Sequence, residues 1–149
     1  MHLPIRKISN WQHGLTLIEL LLVISIVSIV SLSATPFYAR FLTQNAVSDT
    51  TDRIIGSLRK AQIYSMMGKQ NSAWGVRYTG NILTLYVWGN TAFDENFTVG
   101  SNITISGLTD IVFAKTTGLP TPSTLTIIIT GGNTTKTVSV NAEGAVMRQ

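Results

Sequence analysis

From Leu15 to Thr35 the chain runs 21 residues with a single charged side chain, Glu19. No other stretch constrains the fold so tightly. At about 1.5 Å per helical residue the run reaches roughly 32 Å, which matches the hydrocarbon thickness of a bilayer. The leader before it carries Arg6 and Lys7 and no acid. Cytoplasmic retention of such basic flanks predicts a cytoplasmic N-terminus and a C-terminal part on the far side of the membrane. Glu19 is the exception within the run. A carboxylate in an apolar helix costs on the order of 2.5 to 3.5 kcal/mol, and no cation lies within a turn of it, so its partner is expected from elsewhere.

Two common segments fit this stretch poorly. A secretory signal has an apolar core of about 7 to 15 residues placed before its cleavage site, with small residues at the cut; here the run is longer and contains Glu19. On that reading the mature protein would be a secreted β protein beginning near Ala34. A plain single-pass anchor leaves the carboxylate without a purpose.

The order of residues is more specific. A basic leader ending in Gly14, then Leu15, then Thr16-Leu17-Ile18-Glu19 and the apolar run resembles the processing site of type IV prepilins and type II secretion pseudopilins. The resemblance implies cleavage after Gly14 by a prepilin peptidase and N-methylation of the new first residue, Leu15. It further implies that Glu19 pairs with the Leu15 amine of a neighbouring subunit during assembly on an inner-membrane platform. Pro36 stands where that family often has a helix-kinking proline, and proline does remove a backbone donor and crowd the preceding turn. Leu15 occupies a position where the family usually has phenylalanine.

Composition narrows the function. Of eleven Lys and Arg, two lie in the leader, which leaves nine against seven acids from Leu15 onward, or +2. The basic signal of the whole chain is therefore weak where it would have to act on nucleic acid. There is no cysteine, and both histidines, His2 and His13, lie in the leader. Thiolate chemistry, disulfides and the commonest general base and metal ligand are thus missing from the rest of the chain, which argues against an enzyme. Asp94, Glu95, Asp110 and Glu143 lack the spacing of a calcium loop and read as solvated loop charges. No cofactor or metal is expected.

The chain divides into a leader over 1–14, an apolar transmembrane and assembly helix over 15–35, an amphipathic helix over 36–70 and a β domain over 71–149. Phe37, Phe41, Ile54, Ile55, Leu58, Ala61 and Ser65 recur at helical spacing. TQNAVSDTTD between them is poor in helix formers, so a weakened segment with a restart capped by Asp49 or Thr51 is expected. Gly68 provides a stop, with Lys60 and Lys69 suited to the helix dipole. Arg53, Arg59 and Lys60 read as a solvated helix face.

WGVRYT and ILTLYVW then form a hairpin through Gly80-Asn81, with Trp74, Val76 and Tyr78 on one face. A polar loop from Gly89 to Asn96 is expected, followed by strands at 102–106, 110–114, 124–130, 135–141 and 145–148. The predicted class is α+β, a pilin-like long helix on an antiparallel sheet.

The trailing half, with Asp110-Ile111-Val112-Phe113, Gly118, the ITGG turn and Val138 to Gly144, is similar to the C-terminal domain of GspH/FimT minor pseudopilins. This implies a minor subunit of a secretion pseudopilus or a type IV pilus, located in the membrane and then in the filament, with other pilins and membrane lipid as partners. The alternative is a DNA-binding pilin of an uptake apparatus. In members that bind DNA, basic residues of the last segment make the contact. Only Arg148 is basic there, and Ala145 replaces the arginine that often follows the final glycine.

Overall fold

The computed structural model describes residues 16–149, with the side chains of 33–36 excepted. The described residues fall into two units, one ending at Tyr38 and one running from Ala39 to Gln149. The long helix α1 (Leu17–Met66) supplies the first unit and opens the second. The bend expected at Pro36 falls among 33–36, outside the described side chains.

In the second unit α1 continues unbroken through the stretch expected to be weak. The reason is burial. Val47 and Thr51 are fully buried, and Thr51 Oγ1 donates to the Val47 carbonyl at 2.7 Å, so the hydroxyl enters the core already satisfied. Ser48 bonds back to Gln44 in the same way, at 3.0 Å. Asp49 caps nothing and pairs instead with Arg53, at 2.9 Å. Tertiary packing overrides the low local propensity of these residues. One turn after another, Val47, Ile54, Leu58 and Ala61 present a buried stripe to the sheets.

Gly68 ends the helix in the left-handed conformation (φ 63°) that glycine adopts without strain. Neither lysine serves the dipole as expected. Lys60 Nζ lies 2.6 Å from the Glu95 carboxylate, and Lys69 Nζ sits 3.7 Å from the Tyr64 ring centroid. The hydrogen bond to Glu95 raises the Lys60 pKa above its ordinary value, with burial opposing it. Buried Ser65 fastens the helix end to the sheet: its hydroxyl accepts the Trp74 N–H at 2.8 Å, and its carbonyl accepts the Thr116 N–H at 2.9 Å.

Two antiparallel sheets follow. The first has order β3-β2-β1-β5-β6, from β1 (Trp74–Thr79), β2 (Ile82–Val87), β3 (Asn90–Thr98), β5 (Asp110–Phe113) and β6 (Pro120–Thr121). The second has order β4-β7-β8-β9, from β4 (Thr104–Ser106), β7 (Leu125–Gly131), β8 (Thr134–Val140) and β9 (Val146–Arg148). Gly80 and Asn81 both have positive φ (59° and 64°), the geometry of the two-residue hairpin turn read from the sequence.

The polar loop expected over 89–96 is a strand. β3 pairs with β2 from Ile82↔Thr98 to Val87↔Asn90, and most of its residues are exposed or half-buried. An edge strand is held by backbone pairing and a few side-chain contacts, so its apolar signal is thin. Here Glu95 faces Lys60 and half-buried Phe97 packs against the core, while Thr84 and Asn96 bond on the other face at 2.7 Å. On that other face Tyr86 covers Gly75, where a Cβ would come within 2.8 Å of the ring, and donates to Asp110 at 2.7 Å. Burial, then this bond, holds the Tyr86 hydroxyl well above the ordinary phenol range.

Trp74, Val76, Leu83, Leu85, Ile111 and Phe113 from one sheet and Ile127, Ile129, Val138 and Val140 from the other enclose the helix stripe. Gly131 is a point of close approach: a Cβ there would lie 2.6 Å from Val47 Cγ2 and 3.3 Å from Thr43 Cγ2. Because valine is stiff, Gly131→Ala is expected to destabilise the domain by about 1 to 3 kcal/mol, read as a lower urea midpoint. An unchanged midpoint would show that the hairpin can move away from the helix without loss.

Candidate functional site

The chain's most constrained chemistry lies at the start of α1. Thr16 stands just before the helix, and its Oγ1 accepts the Glu19 N–H at 3.3 Å, while its carbonyl accepts the Leu20 N–H at 3.1 Å. Thr16 is therefore an N-cap, and Glu19 is in the first turn, where a negative charge is favoured by the exposed helix amides. Thr16-x-x-Glu19 has the spacing of a capping box, a local signal that the apolar surroundings of Glu19 obscure. Among the described residues the Glu19 carboxylate has no ion-pair or hydrogen-bond partner. Gly14 and Leu15, the residues of the expected cut and methylation, lie outside the described residues.

From Leu17 to Leu32 the helix is uncovered. Twelve large apolar side chains from Leu17 to Leu32 are each at least 50% exposed. Removing them from water is worth on the order of 12 to 24 kcal/mol at about 1 to 2 kcal/mol each, at or above the whole stability of a small domain. Such a surface fits a membrane anchor or a contact with other proteins. The polar groups within it are self-contained: Ser25, Ser28 and Ser31 donate to the carbonyls of Leu21, Ile24 and Val27 at 2.8, 2.7 and 2.7 Å. A hydroxyl bonded to its own backbone can enter hydrocarbon at low cost. An 18-residue window of α1 has mean hydropathy 2.5 and is long and apolar enough to cross a membrane.

The cations of the second unit are mostly engaged. Arg148 Nη1 is held by Asp52 Oδ1 at 3.0 Å, Arg77 lies 3.5 Å from Asp94, and Arg59 reaches the Val146 carbonyl at 3.4 Å. Lys136 donates to Ser48 at 2.6 Å. Arg53 and Lys60 belong to the pairs described above. The structure thus brings Arg148 to an acid on α1 and, among the described residues, gathers no cluster of free cations around it. Among the described residues no group of three His, Cys, Asp or Glu could hold a metal ion.

Residues 12–35 match the family described as the Prokaryotic N-terminal methylation motif. The motif supports a type IV pilin-like subunit. It covers Gly14, Leu15 and Glu19 and ends where the apolar run ends, while exposed apolar side chains of α1 continue to Leu42. No curated protein and no solved structure matches the chain. The remainder of the pilin-like architecture, a long helix packed through its second half on antiparallel sheets, is carried by the fold itself.

Proposed function

We propose that this protein is a minor pilin or pseudopilin, a structural subunit of a type II secretion pseudopilus or a type IV pilus. The observation that carries the reading is the uncovered apolar helix with Glu19 in its first turn, inside a methylation motif. The precursor sits in the inner membrane with Arg6 and Lys7 in the cytoplasm. A prepilin peptidase cuts after Gly14 and methylates Leu15. The assembly platform then moves the subunit into a filament, where other pilins replace lipid around α1. The chemistry is packing: helix contacts replace lipid contacts of similar strength, and one ion pair sets the register.

The finer assignment to GspH/FimT-like minor pseudopilins draws on the trailing half. Asp110–Phe113 forms β5, the ITGG segment closes the β7–β8 hairpin, and Val138–Val140 ends β8. Gly118, where a Cβ would lie 2.6 Å from Met66 Cγ, lets the loop after β5 rest on the helix end. For the DNA-uptake alternative the residue of interest is Arg148, and its engagement by Asp52 favours the structural reading.

N-terminal sequencing and intact mass of the membrane-purified protein test the proposal. The expected product begins at N-methylated Leu15. A chain beginning near Ala34 would indicate a secreted β protein, and an uncut chain beginning at Met1 would leave a plain anchor.

A further inference from the structure

A groove of about 430 Å³ opens in the second unit between the first turns of its helix and the β7–β8 hairpin. Arg40, Thr43 and Gln44 line one side, and Gly132, Asn133 and Thr134 the other. Its chemistry is one-sided. No carboxylate lines it, Arg40 makes no hydrogen bond or ion pair among the described residues, and the remaining polar groups are neutral amides and hydroxyls. The hairpin is drawn up to this wall because Gly131 and Gly132 have no side chain: a Cβ on Gly132 would already touch Thr43 at 3.4 Å. A groove with one unpaired guanidinium and a neutral hydrogen-bonding frame selects a small anion.

Two further observations indicate which anion. Arg40 follows Thr35, the last residue of the apolar run, by five positions in sequence, and a basic side chain so soon after a membrane-spanning segment is drawn to anionic headgroups. Phe41 and Leu42, beside Arg40 in sequence, are 59% and 49% exposed, apolar surface of the kind that marks a membrane or protein contact. A nucleic acid would need several cations along its backbone, and the groove offers one.

We propose that this groove seats the phosphate headgroup of an anionic phospholipid, with Arg40 as the charged contact and Thr43, Gln44 and the hairpin as its hydrogen-bonding frame. The bound lipid orders the β7–β8 hairpin before assembly. The inference rests on the membrane-anchored reading of α1.

The test uses the full chain in nanodiscs of phosphatidylcholine alone or with phosphatidylglycerol, followed by hydrogen exchange at Gly131 to Thr134. Phosphatidylglycerol is expected to slow exchange there about fivefold, the factor for the roughly 1 kcal/mol that an arginine gains at an anionic leaflet. Arg40→Gln should abolish the difference and Arg40→Lys keep most of it. Arg40 is exposed, so these variants leave the core intact. Failure to co-elute with the discs overturns the anchor and the groove together. Co-elution without dependence on phosphatidylglycerol, or dependence that survives Arg40→Gln, overturns the groove alone. Equal protection by inorganic phosphate in phosphatidylcholine discs overturns the lipid assignment in favour of a free-anion site.

Discussion

Gly14→Val is expected to abolish processing and leave a full-length precursor in the membrane. A branched side chain at the junction stiffens the backbone where a peptidase must hold it extended, and only glycine presents no Cβ on the leader side of the cut. The effect is close to all or none, because unprocessed chains keep Arg6 and Lys7 ahead of the helix, and these charges cannot follow it out of the cytoplasmic face. The β domain should be unaffected, since its core is built from Val47 onward. Gel mobility and N-terminal sequence of the membrane fraction give the answer. A Gly14→Val chain that matures normally would remove the prepilin reading and return Leu15–Thr35 to the status of an anchor.

The N-terminal segment was legible because its signal is local and extreme. A run of 21 residues with one charge specifies a helix and a solvent for it without reference to anything distant. The Gly80-Asn81 hairpin was legible for the same reason, since two adjacent residues at positive φ make the turn by themselves. What escaped depends on partners far away in sequence. β3 looks like a loop residue by residue, and becomes a strand because β2 offers a free edge and Lys60, 35 positions back, meets Glu95. The stretch from Thr43 to Asp52 looks weak as an isolated helix and is held because Val47 and Thr51 face the core. The same holds for Arg148: its pairing with Asp52, 96 positions away, has no trace in local composition. The groove at Arg40 exists only once glycines of a distant hairpin approach the helix.

Glu19→Gln is expected to separate assembly from every earlier step. Insertion should persist, because replacing a carboxylate by an amide makes the helix easier to place in lipid. Cleavage at Gly14 should persist, since the junction and its leader are unchanged. The N-cap should survive as well: Thr16 Oγ1 accepts the backbone N–H of residue 19, and that bond is indifferent to the side chain. The loss falls on the partner. In a filament the methylated amine of Leu15 on an adjacent subunit would be enclosed among apolar helices such as Leu17–Leu32, and a buried charge left alone costs about 3 to 5 kcal/mol. That corresponds to roughly two to four decades in the equilibrium for incorporation, set against a helix-for-lipid exchange that is nearly balanced otherwise. The assay compares the membrane pool with the sheared or cross-linked filament fraction at equal expression. Glu19→Gln entering filaments as well as the unaltered chain does would remove Glu19 as an assembly contact. A mild defect would place the subunit at the filament tip, where no subunit lies ahead to offer an amine to its own carboxylate.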